Sequence, residues 1–374
     1  MKKTLLQACA LCMGATSIQA GGLDRSGQGI NIIFEEGSVV QLRLGYASPD
    51  VSGEQNGVES GDVSNAFFSP GLAYKRSFTD KLDFALIYDE PFGADIGYSA
   101  DYPLSQNPTA AFGGRSGILR ASADVDSLTA LLRYKLDGGF SAIGGIRAQR
   151  ASAKVVVPAA AGYEFDADAD TDFGYLVGVA WEKPEIAARV SLVYNSKITH
   201  DLSSTESFNV VPPVPAGLQT IDDTTRVETP QSINLDFQTG VAPKTLVFGS
   251  IRWVDWPQTV VAPAAYVGIV GDNLVDFDDD TFTYTLGMGY QFSEAFSGAI
   301  STSYEKSNGT EVSNLGPTDG FWSIGVGGTY TVENAQISGG VRYTDIGDAT
   351  TTTGGEFSGN SAWSVGLQLT YSLN

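Results

Sequence analysis

From Thr281 to Phe292 the chain alternates without interruption: Phe282, Tyr284, Leu286, Met288, Tyr290 and Phe292 are separated by Thr283, Thr285, Gly287, Gly289 and Gln291. A period of two puts the large apolar side chains on one face of a strand and the small or polar ones on the other. A soluble sandwich would turn the apolar face inward and dress the other with Lys and Glu. A face of Thr, Gly and Gln suits a crowded wet lumen instead. The pattern predicts a strand that is apolar outward, towards lipid. It recurs at Leu82–Tyr88, Leu128–Leu136, Phe173–Trp181, Val190–Tyr194, Trp322–Val332 and Trp363–Leu373, with aromatic residues repeatedly at strand ends, as interface girdles require. Beyond the first twenty residues there is no run of about 18 or more apolar residues, so strands are the only elements that can cross a bilayer.

With weaker candidates included, about fourteen strands are expected, an even number as bacterial barrels require. They begin near Val39, Phe67, Lys81, Ile118, Phe140, Thr171, Ile186, Arg226, Lys244, Thr281, Ala295, Phe321, Ala335 and Ser361. Links after even-numbered strands are tight, such as Phe78-Thr79-Asp80, Asp137-Gly138-Gly139, Lys183-Pro184-Glu185 and Glu333-Asn334. Links after odd-numbered strands are long, such as Pro91 to Gly117, Ser203 to Thr225 and Pro257 to Asp280. Short periplasmic turns and long outer loops give that asymmetry; a sandwich does not. The fold class expected is an all-β, transmembrane antiparallel barrel over residues 39–374.

The first residues read as a cleaved export signal over 1–20: Lys2 and Lys3, an apolar core from Leu5 to Ala15, then Ser17-Ile18-Gln19-Ala20. A lipoprotein reading at Cys9 needs a truncated core and a bulky Gln7 close to the cut. Cys9 and Cys12 are the two cysteines, so the remainder has no disulfide or thiolate chemistry. A net charge of −21 argues against nucleic acid as a partner.

Catalysis and metal chemistry find little support. His200 is the one histidine, beside Asp201 without a Gly-x-Ser-x-Gly elbow, so no triad is assembled locally. A lipase would need long-range geometry. Asp166, Asp168, Asp170 and Asp172 open like a calcium loop, but Thr171 stands where Gly is needed and Val177 where Glu is needed. That tract and Asp276, Asp278, Asp279 and Asp280 read as solvated loop charge, with loose bridging of divalent cations as the alternative. The expectation is no enzyme, no metal and no cofactor.

Three long links carry apolar runs: Val155-Val156-Val157-Pro158 with Ala159 to Tyr163, Val210-Val211-Pro212-Pro213-Val214-Pro215 leading to Leu218, and Val260 to Val270 around Pro263. Apolar clusters on outer loops either pack together as a lid or form a landing site for a hydrophobic ligand. Both can hold together. The ligand-binding candidates among them are Val156, Val157, Tyr163, Val210, Val211, Val214 and Leu218.

Several ordered stretches resemble the FadL-type outer-membrane channels for long-chain fatty acids and other hydrophobic compounds. Leu44-Gly45-Tyr46-Ala47-Ser48-Pro49-Asp50-Val51-Ser52-Gly53 is similar to the first strand and its exit. Pro70 to Tyr98, with Pro91-Phe92-Gly93 inside it, is similar to the second and third strands. Tyr194-Asn195-Ser196-Lys197 running to Leu202 resembles a Tyr-Arg-Ser segment. Pro230 to Trp256, ending Trp253-Val254-Asp255-Trp256, leads to Pro257 where the family has Ser. Phe321-Trp322-Ser323 and the closing hairpin fit too.

The resemblance implies an amino-terminal hatch in a fourteen-stranded barrel. It implies capture on the third and fourth outer loops, an apolar lumen pocket, and passive sideways release through a kink in the third strand. The kink would fall at Pro91, Phe92 and Gly93, since proline cannot donate to the ladder and glycine weakens it; a plain strand end is the other reading. The hatch would be residues 21–38, with Asp24, Arg25, Asn31 and Phe34 as its contact residues. It is shorter than the family's, and Asn31-Ile32-Ile33 replaces an Asn-Pro-Ala motif. Asn374 also follows Leu373 where a terminal aromatic is expected.

A fatty acid would need a cation for its carboxylate. Arg147, Arg150 and Lys154, climbing the fifth strand, are the candidates; a charge ladder facing lumen carboxylates is the alternative. Expected partners are a long-chain fatty acid or other hydrophobic ligand, outer-membrane lipid and lipopolysaccharide, and the barrel-assembly machinery, with the chain a monomer. A diffusion porin for small solutes and a structural or adhesive barrel remain the other readings.

Overall fold

The computed structural model describes residues 23–112, 117–211 and 216–373. The expected signal segment and Val214 lie outside the described residues.

Sixteen strands form one antiparallel sheet that closes on itself. They are β1 Ser38–Asp50, β2 Phe67–Ser77, β3 Leu82–Gly97, β4 Arg120–Lys135, β5 Phe140–Val157 and β6 Tyr163–Lys183. Next come β7 Ala188–Asn195, β8 Ile198–Val210, β9 Gly217–Thr229, β10 Ser232–Ala242 and β11 Thr245–Val254. The last are β12 Thr281–Gln291, β13 Phe296–Glu305, β14 Phe321–Val332, β15 Ala335–Ile346 and β16 Asn360–Ser372. β7 with β8, and β9 with β10, are each a single stave interrupted midway, so the wall has the expected fourteen staves. β1 and β16 zip together from Val39↔Ser372 to Asp50↔Ser361, which leaves no free edge.

The pleat is apolar outward. On β12, Tyr284, Leu286 and Met288 are exposed while Thr283 and Gln291 are buried. An exposed band of this kind, repeated around a closed wall, is stable only where lipid covers it. Inward glycines make room for the few large lumen side chains: a Cβ on Gly287 would lie 2.3 Å from Phe248 Cζ.

Two elements depart from the sequence-based expectation. β6 begins at Tyr163 rather than near Thr171, and the expected link from Ser203 to Thr225 is instead a hairpin, paired as far as Val210↔Gly217. Above the bilayer both faces of a strand meet water. Apolar alternation disappears there, although the backbone ladder continues.

The lumen has two zones. Towards the tight turns, residues 23–37 fold inside the barrel. A turn at Asn31–Phe34 packs Ile30, Ile32 and Ile33 against Ala73, Ala85, Ile87 and Leu131. Phe34 lies between the guanidinium groups of Arg133 (4.7 Å) and Arg189 (4.4 Å). Nearby, Asp83 is held by Lys75 at 3.0 Å and Lys135 at 2.9 Å. Buried charges are stable only when paired in this way. Towards the long loops the packing is apolar: Val157, Ala160, Tyr163 and Phe165 join Tyr98, Tyr102, Leu119, Leu274 and Phe357 in one cluster.

Candidate functional site

Between these zones lies an apolar cavity of about 120 Å³. Its wall residues come from β3 (Phe92, Gly93, Ala94), β4 (Ala121, Ala123, Val125), β5 (Ala151, Ala153, Val155), β6 (Phe165), β8 (His200, Leu202) and β9 (Val227, Thr229). Trp256, Phe277 and Leu315, from the loops after β11 and β13, cover it. Small side chains on two adjacent strands create the space. Trp256 bounds it, edge-on to Phe92 at 5.8 Å and 5.2 Å from Phe277. Among the described residues that line it there is no Lys, Arg, Asp or Glu. A larger vestibule of about 340 Å³ lies above, among Leu104, Val157, Tyr266, Leu274 and Thr352, and Ser313 and Leu315 line both spaces.

Beside the cavity the wall is interrupted. Pairing between β2 and β3 stops at Leu72↔Tyr88, although β2 stays paired with β1 as far as Phe67↔Ala47. The cause is an extra residue in β3, where the register against β4 shifts between Asp89 and Phe92. One inserted residue moves every later side chain to the opposite face. Asp89 and Phe92 therefore both point inward, and both are buried. Above the insertion β3 no longer matches β2, and Pro91 has no N–H to offer.

The amino-terminal segment takes up the vacated edge. Arg25 N–H donates to the Pro91 carbonyl and Gly93 N–H to the Leu23 carbonyl, each at 2.8 Å. Arg25 extends across the break, its guanidinium 4.4 Å from the Phe67 ring centroid and 3.8 Å from Glu90. A Cβ on Gly93 would fall 2.4 Å from Arg25 Cζ, so the missing side chain makes room for this guanidinium. Asp24 accepts from Arg252 Nε at 2.6 Å, which ties the segment to β11 on the far wall.

The structure separates the sequence candidates. Pro91, Phe92 and Gly93 all lie at the break. Asp24 and Arg25 brace it, Phe34 sits in the charged zone, and Asn31 lines a polar chamber of about 130 Å³ beside it. Arg147 points into the lumen, with its Nε on Thr129 at 2.9 Å. Arg150 and Lys154 face outward, and Lys154 pairs with Asp166 at 2.8 Å. These three cations do not converge on one ligand.

Val157 lines the vestibule, Val156 is half-buried, and Val210, Val211 and Leu218 stand around the tip of the β8–β9 hairpin, the last two exposed. Tyr163 has a bracing position. Its hydroxyl donates to the buried Glu206 at 2.8 Å, and Glu206 also accepts from the N–H groups of Ala265 (3.1 Å) and Tyr266 (3.0 Å). Those amides begin helix α1, Ala264–Val270, in the loop over the cavity. Burial and the neighbouring Glu206 hold the Tyr163 hydroxyl above the ordinary tyrosine pKa, in its donor form.

Ala121, Ala151, Phe165, Leu202 and Trp256 escaped the sequence reading as cavity residues. The available signal was the pair of small-residue runs Ala121-Ser122-Ala123 and Ala151-Ser152-Ala153, where neither face of the strand carries bulk.

No protein-family model and no curated protein sequence matches the chain. Its structure superposes on that of a Pseudomonas aeruginosa FadL homologue with a TM-score of 0.72 at 14% identity, covering 96% of this chain and 97% of that one. The toluene transporter TodX of P. putida gives a TM-score of 0.66 at 13% identity over 91% of both chains. The toluene transporter TbuX of Ralstonia pickettii gives 0.63 at 14%, over 91% of this chain and 90% of that one. The chain thus has the barrel fold of the FadL-type channels, the family its ordered sequence stretches resemble.

Proposed function

We propose that this protein is an outer-membrane channel for the passive uptake of small, uncharged, apolar molecules. Such a molecule gathers in the loop vestibule, passes Leu315 into the lumen cavity and leaves sideways between β2 and β3. The observation that carries this reading is an apolar cavity with no charged residue among the described residues that line it, with Phe92 and Gly93 of the interrupted strand in its wall. An enclosed apolar cavity of about 150 Å³ takes up benzene, so a space of about 120 Å³ suits a single aromatic ring. The charged zone below offers such a ligand no route down, because an apolar molecule gains nothing by displacing paired ions and their water.

A long-chain fatty acid fits less well, since its carboxylate would meet no cation in the cavity. The chain is exported by its amino-terminal signal, inserted by the barrel-assembly machinery, and works as a monomer among lipopolysaccharide. It is a channel and not an enzyme. Calorimetric titration of the purified barrel with toluene and with a long-chain fatty acid tests the ligand class. Saturable toluene binding that fatty acid does not displace is expected; fatty-acid binding alone would overturn the uncharged-ligand reading. The polar chamber lined by Gln41, Arg43, Asn234 and Asp236 favours a second role, as a pore for small polar solutes. Swelling of vesicles in sugar solutions would establish it.

A further inference from the structure

The wall is interrupted a second time, on the other side of the same cavity. β6 pairs with β7 up to Leu176↔Asn195, and with β8 from Ala167↔Ser204 upward. Between them only the Ser196 N–H to Tyr175 carbonyl bond and the Tyr175 N–H to Ser196 Oγ bond, both 2.9 Å, extend the ladder. Residues 168–174 and 197–203 are then adjacent without backbone pairing. Phe173 N–H is satisfied by the neighbouring Asp172 side chain, as befits an amide whose ladder partner is missing.

The construction repeats that of the first break. β6 carries an extra residue at 168–169, seen as a register shift against β5 between Ala151 and Ala153. The neighbouring stave carries its own at Ser196–Lys197, since Asn195 and Ile198 are both buried. The two insertions sit at opposite ends of the lapse. Register therefore agrees above and below it, while in between the inward residues of one strand oppose the outward residues of the other. An antiparallel ladder needs partners that face the same way, so none forms. Pro230, opposite this point on the hairpin, removes a further donor.

Resting on the reading of the protein as a channel for apolar molecules, we infer that the lapse between β6 and β8 is a second lateral portal from the lumen cavity. Two side chains close it. Ile198 lies over Gly174, where a Cβ would come within 2.6 Å of Ile198 Cγ1. His200 lines the cavity and places its Nδ1 3.5 Å from Asp170 Oδ2 across the lapse. Outside, exposed Phe173 and Tyr175 mark the upper edge of the apolar band, and exposed Lys197 lies level with them on the neighbouring stave. The portal thus discharges at the outer border of the bilayer, where an apolar molecule next partitions into lipid.

Thiol cross-linking tests this in cells with an intact outer membrane and this chain as the channel under study, after replacement of Cys9 and Cys12. Phe173→Cys with Thr199→Cys, which face the same side of the wall across the second lapse, bridges it, and Ser69→Cys with Pro91→Cys bridges the first. Val179→Cys with Leu192→Cys bridges a point where the ladder is intact. Uptake of labelled toluene is expected to persist when either lapse alone is bridged, and to fall to the rate of cells without the channel when both are. The intact-ladder bridge is expected to leave it unchanged. With the first lapse bridged, Ile198→Ala is expected to raise the residual rate. Heat-dependent migration on gels confirms that each variant is folded. Background uptake after bridging the first lapse alone, or no further fall when the second bridge is added to the first together with no rise from Ile198→Ala, would overturn the second portal while leaving the channel intact. Background uptake by the unbridged protein would overturn the channel reading itself, and the portal with it.

Discussion

Arg25 stands in the route that an apolar ligand would take between β2 and β3. Its guanidinium is largely buried, yet Phe67 and Glu90 give it a ring face and a countercharge. Such contacts contribute about 1–2 kcal/mol when desolvated. A plug held this way can be displaced, whereas a closed backbone ladder cannot. Arg25→Ala is therefore expected to lower stability by about 1–2 kcal/mol and to speed release of bound toluene into lipid, read by stopped-flow loss of the ligand from the loaded protein. Gly93→Ala is expected to act in the same direction, because the added methyl occupies the guanidinium's place. Slower release in either variant would show that Arg25 guides the ligand instead of blocking it.

At the scale of elements, the wall strands are legible in the sequence and the cavity is not. Thr281 to Phe292 declares itself because lipid on one side and a packed lumen on the other impose a period of two. The β8–β9 hairpin loses that contrast once both faces meet water, so Ser203 to Thr225 reads as a loop. The cavity depends on single inserted residues at 90–91, 168–169 and 196–197. Each changes which face every later residue occupies, and no composition marks it. Pro91 at the first insertion, and the small-residue runs at 121–123 and 151–153, are the local signs. At Tyr163 the apolar run suggests a ligand contact, and the structure adds a bond that no local pattern announces: its hydroxyl donates to Glu206. That carboxylate accepts from three donors, two of them amides of the loop over the cavity. Charge-assisted bonds of this kind contribute about 1.5–3 kcal/mol each, and Glu206→Gln removes the charge and turns one acceptor into a donor aimed at donors. The amides of Ala265 and Tyr266 are expected to exchange hydrogen faster in this variant, with the wall strands unaffected. Unchanged protection at both amides would remove Glu206 as the latch.

For the whole molecule, the wall and the lumen follow opposite rules, and substitutions should respect the division. Leu286 is in the middle of the exposed band. Leu286→Lys is expected to cost about 2–4 kcal/mol, as a charge near the bilayer midplane does, measured by denaturant unfolding from lipid vesicles. The lumen is divided again along its length. On the proposed reading, apolar molecules would enter and leave above the hatch, while the charged zone around Phe34, Arg133 and Arg189 fills the lumen below it. If these two zones are separate, Phe34→Ala should open the lower zone without touching the upper one. Removing the ring leaves two guanidinium groups facing a vacated space that water fills. Single-channel conductance in planar bilayers is then expected to rise, with a preference for anions, while toluene binding by calorimetry stays as it was. A joint change in conductance and toluene affinity would mean that the hatch couples the two zones, with the segment from Leu23 to Phe34 moving as one piece.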